Sequence, residues 1–262
     1  MNGKIIRLGE EIINKYGTKQ KIIEYISFDN IKVLCDNKYI VNSRYDTFKR
    51  KQTISPYDKF ILGIGYLGEG KYKTKENGRD TFIYNEWHSM LSRCYNESQK
   101  NLIKNISYKN KKCTVCEEWH NFQNFAEWYE NNIYNVNNEN MRLDKDILFK
   151  GNTIYSPNNC IIVPERINNL FTYSKSNRGN YPIGVHLNKK TNKLRAECSI
   201  YDKTNKKSKN KHLGYYNTPE EAFNVYKEFK EQYIKQVADE YKDKIPKKLY
   251  DAMYKYEVEI TD

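Results

Sequence analysis

The amino-acid sequence predicts an α+β protein made of several modules, on three observations. Residues 1–70 contain short β-branched and aromatic runs separated by turn residues, a pattern typical of strands. Residues 84–129 space their aromatic side chains three and four positions apart, as amphipathic helices do. Residues 181–217 return to strand-like runs, and a long helical pattern follows them. A chain of 262 residues has room for two or three such modules.

The first module, over residues 1–70, is predicted to be a small β-barrel. Its strand-like runs are KIIEYIS, IKVLCD and KYIVNSRYDTF, with Asp-Asn and Asn-Lys turn signals between them. We recognise no catalytic set among these residues. By analogy with other small barrels, the module would bind a protein partner or help to position DNA.

The central module, over residues 71–171, begins with a loop rich in Gly and Lys and continues with two helical patterns. Their apolar positions share one helix face, and we interpret them as core because a base-stacking platform would need exposed rings. They are Trp87, Met90, Leu91 and Cys94 in the first pattern and Trp119, Phe122, Phe125, Trp128 and Tyr129 in the second. Residues 141–171 predict a β-hairpin, with its turn around residues 148–152, and then a short helix.

The last module, over residues 181–262, is predicted to be a three-stranded sheet packed on a long helix, with a second short helix after it. A polar linker at residues 174–180 precedes the sheet. Thr218 and Glu221 have the spacing of a capping box, and Pro219 occupies the favoured first helical position. The long helix is therefore predicted to begin directly after Thr218.

Positive charge is concentrated in one part of the chain. The net charge is +12, and residues 172–212 contribute +9 of it, with 11 Lys or Arg against Glu197 and Asp202. Such a segment is typical of a face that binds a polyanion, because Lys and Arg displace counterions from nucleic-acid phosphates. An RNA-binding or ribosome-associated protein would also be basic, but this interpretation rests on net charge alone.

The sequence also bears on the cellular compartment. It shows neither a signal-peptide pattern nor an apolar run of the roughly 20 residues that a membrane helix needs. We therefore expect a cytoplasmic protein that has no membrane partner, located in the host cytoplasm if a phage encodes it. Its six cysteines are expected to be reduced thiols. The alternative to buried packing is a structural zinc site on Cys113 and Cys116 together with Cys94, Cys160, His88 and His120. An isolated CxxC is weak evidence for zinc, so we expect buried thiols.

Four short pieces of the central module carry a family resemblance. They are Trp87…Met90…Arg93-Cys94-Tyr95, Thr114-Val115-Cys116-Glu117-Glu118-Trp119, Leu143-Asp144-Lys145-Asp146-Ile147 and Tyr155-Ser156-Pro157-Asn158-Asn159-Cys160. In this order they resemble the HNH homing-endonuclease family of phages and group I introns. The resemblance implies a ββα finger that binds one divalent metal, Mg²⁺ or Mn²⁺, and hydrolyses a DNA phosphodiester bond.

The resemblance implies a role for each candidate residue of the finger. Asp144 and Asn159 would be the metal ligands, and Asn168 on the finger helix would complete the site. The general-base position falls on Lys145 instead of histidine, and a lysine with an ordinary pKa of about 10.4 is protonated at neutral pH. Asp146 is an alternative base. The other interpretation is that Asp144 and Asn159 only orient the hairpin, while Lys145 contacts a phosphate as a cation.

A second resemblance covers residues 181–231. Its pieces are Tyr181-Pro182-Ile183-Gly184-Val185, Lys193-Leu194-Arg195-Ala196-Glu197, His212-Leu213-Gly214-Tyr215-Tyr216 and Thr218-Pro219-Glu220-Glu221-Ala222-Phe223. They resemble the APETALA2-type DNA-binding domain of plant transcription factors, which also occurs fused to phage HNH nucleases. The resemblance implies a three-stranded sheet in the DNA major groove with a helix packed behind it.

Alternate strand residues would then face double-stranded DNA. The candidates for base or phosphate contacts are His186, Asn188, Lys193 and Arg195, with Lys189, Lys190 and Lys211 adding positive charge near phosphates. Arg195 is the foremost candidate, and its alternative role is an ion pair with Glu197 on the same strand face. The chain departs from the plant pattern in its Lys-rich hairpin tip, KTNKKSKN, and lacks that pattern's first-strand arginines.

Two functional hypotheses follow for a DNA-binding protein of the mobile-element type. The first is a metal-dependent HNH-type endonuclease guided by the C-terminal sheet. The second is a catalytically inactive DNA-binding protein, such as a phage regulator or an inhibitor of a host defence system. Lys145 discriminates between them, whereas the oligomeric state and the recognition sequence stay open.

Overall fold

A computed structural model describes residues 7–98, 100–101, 105–172, 181–202, 204–205, 207–260 and 262. The linker predicted at residues 174–180 and two lysines of the hairpin tip, Lys203 and Lys206, lie outside the described residues. Contacts divide the chain into two compact units. The first contains residues 1–131 and 153–156, and the second contains residues 132–152 and 157–262.

The first unit begins with an open antiparallel sheet in the order β1-β2-β3-β4. The strands are β1 (Glu11–Ile13), β2 (Lys19–Ser27), β3 (Asn30–Cys35) and β4 (Ile40–Ser43), and helix α1 (Tyr45–Lys49) follows them. One face of the sheet buries an apolar cluster formed by Ile22, Ile31, Val33 and Phe48.

The predicted barrel is wrong, because none of the described sheets closes on itself. Barrel closure needs a last strand that pairs with the first, and here β1 and β4 are edge strands of only three and four residues. The run predicted as one long strand divides instead, with β4 ending at Ser43 and α1 starting at Tyr45. Phe48 on α1 covers the inner face that a closing strand would otherwise cover.

The rest of the first unit is mainly helical. A two-stranded ribbon, β5 (Lys75–Glu76) and β6 (Arg79–Asp80), leads into α2 (Phe82–Tyr95), α3 (Ile106–Asn110), a 3₁₀ turn (Glu117–His120) and α4 (Phe122–Asn132). The predicted core interpretation is confirmed for Trp87, Trp119 and Phe125, which are fully buried, whereas Trp128 is half-buried. Trp87 also donates its indole N–H to the Trp119 carbonyl at 2.7 Å. Strand β7 (Thr114–Val115) pairs in parallel with β9 (Ile154–Tyr155).

The second unit contains the predicted short helix and an antiparallel strand pair, but this pair is not a tight hairpin, because residues 145–160 connect its strands and β9 within them pairs with β7. Strands β8 (Met141–Asp144) and β10 (Ile161–Pro164) pair antiparallel, with Asp144 opposite Ile161, and helix α5 (Glu165–Leu170) follows directly. We call these three elements the finger. The predicted turn contains Gly151 in a left-handed conformation, with φ of +81°, which favours glycine.

The predicted three-stranded sheet and long helix are also present. The sheet order is β11-β12-β13, formed by β11 (Val185–Asn188), β12 (Lys193–Asp202) and β13 (Lys207–Tyr216), and it is antiparallel throughout. Helix α6 (Pro219–Glu240) begins at the predicted capping box, in which Thr218 Oγ1 accepts from the Glu221 N–H at 3.2 Å and the Glu221 carboxylate accepts from the Thr218 N–H. A shorter helix, α7 (Lys247–Tyr254), follows.

Helix α6 takes part in two apolar clusters of the second unit. Its first half contributes Ala222, Phe223 and Tyr226 to the cluster beneath the sheet. Its second half packs in the cluster that contains finger residues and α7, through Tyr233, Ile234, Val237 and Ala238. The partly buried Phe229 packs against both clusters. One helix therefore supports the sheet and the finger together.

No helix among the described residues is long and apolar enough to cross a membrane.

Candidate nucleic-acid interface

The register of the three-stranded sheet determines which side chains share a face. Val185, Ala196 and Cys198 are buried in the cluster that contains α6 residues, so the alternate positions along the strands point away from that helix. We call this other side the open face. It carries His186, Asn188, Lys193, Arg195, Glu197, His212 and Tyr215.

A hydrogen bond joins open-face residues of the two outer strands. Arg195 stands on the central strand with His186 opposite it on one side and Tyr215 on the other. The Asn188 amide donates to the Tyr215 hydroxyl at 3.2 Å, which connects the two outer strands. The ring centroids of His212 and Tyr215 lie 4.7 Å apart. Asn188, Tyr215 and His212 therefore restrict one another before any ligand arrives.

Arg195 has the ion-pair partner that the alternative prediction named. Its Nη2 lies 2.7 Å from Glu197 Oε2, and the side chains are 40% and 9% exposed respectively. Glu197 is the acidic residue among the seven open-face positions defined above, which makes the open face basic around the central strand. The guanidinium has five N–H donors, so this pair leaves it donors for another acceptor.

The predicted lysines lie in different places. Lys193 is on the open face, and Lys189 and Lys190 are exposed in the turn between β11 and β12, where the Asn188 side chain accepts from the Lys190 N–H. Lys211 lies on the opposite side, because its cross-strand partner is the buried Cys198. Its ammonium stands 4.6 Å from the centre of the Phe229 ring of α6.

The finger residue Asp144 makes hydrogen bonds within its own loop. Its Oδ1 accepts from the backbone N–H groups of Asp146, at 2.8 Å, and Ile147, at 2.7 Å. Burial raises the pKa of Asp144, and the two backbone hydrogen bonds oppose that rise. This arrangement stabilises the turn that follows β8.

Lys145 is a buried cation in the same loop. Only 3% of its side chain is exposed, and its ammonium donates to Asp146 Oδ1 at 2.7 Å and to the Asn152 carbonyl at 2.8 Å. Asn152 returns a hydrogen bond from its amide to the Lys145 carbonyl and accepts at Oδ1 from the Asn159 amide at 3.1 Å. Lys145 therefore connects the start of this loop to the turn at Asn152.

Asn168 lies towards the end of α5. Its backbone carbonyl accepts from the Phe171 N–H, and within the described hydrogen bonds it has no direct link to Asp144 or Lys145. The finger thus brings together Asp144, Lys145, Asp146 and Asn159, with Asn152 as the central member that the sequence interpretation missed. Only the turn pattern around residues 148–152 pointed towards Asn152.

The Lys145 charge opposes a divalent metal in this arrangement of finger side chains. Asp144 Oδ1 already accepts two N–H groups and the Asn159 amide nitrogen donates to Asn152, so Asp144 Oδ2 and Asn159 Oδ1 are the atoms that a metal would use. The Lys145 charge acts on Asp144 and stands in the same hydrogen-bonded network as Asn159, so it would repel a cation placed between the two residues.

The cysteines show no arrangement typical of zinc. All six are free thiols, with Cys113 buried and Cys116 half-buried. In the part of the chain that the structure describes, no group of three or more His, Cys, Asp and Glu side chains is placed to bind a metal ion.

Sequence interpretation also missed His212 and Tyr215 as open-face residues. Both residues belong to the motif His212-Leu213-Gly214-Tyr215-Tyr216. Alternation along β13 could have placed Tyr215 beside Arg195. The position of His212 could not be predicted in this way, because a bulge shifts the register between Ala196 and Glu197.

No protein-family model, curated protein or solved structure matches this chain.

Proposed function

We propose that the chain is a double-stranded-DNA-binding protein that places the open face of its three-stranded sheet in the major groove. The observation that carries this proposal is the open face itself, where Arg195, Lys193 and His186 stand together on neighbouring strands around a single carboxylate. Arg and Lys contact phosphates and guanine edges, and Asn and His donate to base edges and phosphates.

The dimensions of the sheet support the major groove as the binding site. Adjacent strands are about 4.8 Å apart, so the axes of β11 and β13 are separated by about 10 Å. The major groove of B-DNA is about 12 Å wide, whereas its minor groove is about 6 Å wide and the major groove of A-form RNA is deep and narrow. Double-stranded DNA is the ligand that matches this width.

We further propose that the finger is a structural module and does not cut DNA. Lys145 supplies a fixed cation where the nuclease resemblance implies a general base, and the would-be metal ligands bond to the loop. A protonated lysine donates hydrogen bonds and cannot take a proton from water. This arrangement favours the inactive-regulator hypothesis over the nuclease hypothesis.

DNA binding is tested by comparing two triple variants with equal loss of charge. Lys189, Lys190 and Lys193 are changed to Gln in one, and Lys207, Lys209 and Lys211, which lie on the α6 side of β13, are changed to Gln in the other. Fluorescence anisotropy with a labelled random-sequence duplex measures Kd at several salt concentrations. Losing three phosphate contacts weakens binding on the order of 100-fold at about 0.15 M salt, and only the first variant should show this loss.

Competitors separate the remaining outcomes of this experiment. Equal losses in both variants would contradict the open face as the binding surface. Stronger competition by single-stranded DNA or by RNA than by duplex DNA would contradict the proposed ligand, because stacking on Tyr215 and His212 would then explain the binding.

The structural role of the finger is tested with supercoiled plasmid. The wild-type protein and Asp144→Ala are incubated with Mg²⁺, with Mn²⁺ and with chelator, and nicked plasmid is quantified on gels. We expect equal background nicking in all samples. Metal-dependent nicking by the wild type that disappears in Asp144→Ala would contradict this proposal and restore the nuclease hypothesis.

A further inference from the structure

Arg195 differs from the lysines around it because another side chain holds it. Glu197 is two positions further along β12, which places both side chains on the open face about 7 Å apart along the strand. Its carboxylate binds Arg195 Nη2 at 2.7 Å and is itself largely buried, with 9% of the side chain exposed. A largely buried carboxylate is a firmer anchor than an exposed one.

Arg195 lies between two outer strands whose open-face side chains are joined to each other. His186 and Tyr215 stand directly opposite Arg195 on the two outer strands, and the Asn188 amide holds the Tyr215 hydroxyl. An arginine that loses little side-chain freedom on binding pays a smaller entropic cost for each hydrogen bond that it forms. The side chain is therefore preorganised for a directional contact.

An acidic side chain on a DNA-facing surface opposes phosphate binding, because it repels the DNA backbone. Glu197 therefore lowers the affinity for DNA phosphates, and a geometric role would account for its place on this face. With Nη2 engaged through one of its hydrogens, the guanidinium retains N–H donors on Nη1 and Nη2, which is the pair that matches O6 and N7 of guanine.

We infer that Glu197 is a positioning residue that orients Arg195 to read a guanine edge, so that this pair determines base specificity at one position of the DNA site. This inference rests on the proposed DNA binding. The lysines on the open face and in its turn would then supply affinity without base preference, since they contact phosphates.

We expect the substitution Glu197→Ala to change the Kd for two DNA duplexes in opposite directions. Wild-type protein first selects its preferred duplexes from a random-sequence pool, and Kd is then measured for a selected duplex and for a scrambled one. Because Glu197→Ala removes a negative charge, the variant should bind the scrambled duplex more tightly. Because Arg195 is no longer oriented, the variant should bind the selected duplex about tenfold more weakly. Repeating the selection with this variant should show lost guanine preference at a single position.

Two further variants complete a double-mutant cycle. Arg195→Ala should lose the same guanine preference, and adding Glu197→Ala to it should change the specificity ratio no further, because the positioned group is already absent. Glu197→Gln retains the size of the side chain and an oxygen that accepts from Arg195, so it should restore most of the preference. Circular dichroism melting shows whether each variant is folded, and Glu197→Gln serves as the test if Glu197→Ala is not.

The outcomes separate this inference from the proposed function. If Glu197→Ala tightens binding to both duplexes equally, Glu197 has no positioning role. If the wild type binds duplexes without sequence preference, DNA binding stands and the guanine-reading role of Arg195 is wrong. If the wild type binds no duplex at all, the proposed function itself fails.

Discussion

Asp144 shows how a single carboxylate can have a structural role in a place where the sequence pattern indicates a catalytic one. One of its oxygens accepts two backbone N–H groups that follow β8, and these donors would otherwise be left unsatisfied in a half-buried loop. The contact requires an acceptor and does not require a negative charge. Asparagine provides such an acceptor with nearly the same shape.

Two substitutions of Asp144 therefore have different expected results. Asp144→Ala removes the acceptor and should lower the free energy of unfolding by about 1–3 kcal/mol. Asp144→Asn keeps an oxygen for both N–H groups and should change it much less. Urea unfolding measures both variants, and equal destabilisation would contradict a purely hydrogen-bonding role. DNA affinity should be unchanged in each folded variant, because the open face is intact.

His120 makes the first unit sensitive to acid. Its Nε2 lies 3.1 Å from the Val115 carbonyl, which can only accept, so Nε2 carries the hydrogen. Burial lowers the pKa of His120 below its ordinary value. The unfolded chain therefore binds the proton more readily, and the stability from this group is lost as pH falls from the unfolded-state pKa of about 6.5 through the lower folded-state pKa.

The expected result is a pH-dependent difference between wild type and His120→Gln. Glutamine is not titratable and can still donate to a carbonyl oxygen. Between about pH 7.5 and pH 5.5, the urea midpoint of the wild type should fall further than that of the variant. Equal falls in the two proteins would exclude His120 as the source of the acid sensitivity.

The path into β11 depends on one glycine that packs against α6. Gly184 has φ of +74°, and a β-carbon built there would stand 2.1 Å from Cδ2 of Tyr226 on α6. Any other residue would therefore meet both backbone strain and a steric clash. The close approach of β11 to the helix requires glycine at this position, which explains the Ile183-Gly184-Val185 sequence locally.

Gly151 provides the matched control for Gly184. It has a similar φ of +81°, but nothing lies within 4 Å of its added β-carbon. Gly151→Ala should cost only the strain of about 1–2 kcal/mol, whereas Gly184→Ala should cost about 1–3 kcal/mol more through the clash with Tyr226. Chemical denaturation of the two variants measures this difference, and equal costs would show that Tyr226 moves aside freely.

At the scale of the whole molecule, the second unit joins the sheet and the finger through helix α6. Ile234 and Val237 are fully buried in the cluster that contains finger residues, while Phe223 is buried beneath the sheet. Because a helix propagates order along its length, loss of packing at one half weakens the other half. The two modules are thus expected to unfold together.

Hydrogen exchange tests this coupling. Ile234→Ala should lower the free energy of unfolding by about 2–5 kcal/mol through the cavity that it leaves. Exchange protection should fall in β10 of the finger and equally in β12 of the sheet, and Phe223→Ala should give the same pattern from the other end. Loss of protection confined to the finger in Ile234→Ala would contradict a single cooperative unit.

Much of the secondary structure could be predicted because its signals are local. The capping box at Thr218, the helical spacing of Trp87, Met90 and Leu91, and the finger turn at Gly151 are set by contacts within a few residues. Each of these predictions is confirmed. Likewise, strand alternation could place His186, Asn188, Lys193 and Arg195 on one face, since side chains alternate along a strand.

Tertiary contacts decided the features that sequence spacing cannot encode. Strand spacing alone could not distinguish a barrel from an open sheet, because Phe48 of α1 covers the inner face instead of a closing strand. Two further features depend on atoms brought together by packing. They are the side of the sheet on which Lys211 lies and the hydrogen bond that Lys145 makes with the Asn152 carbonyl. Local periodicity therefore determines which elements form, and the burial of their shared faces determines what their polar side chains can do.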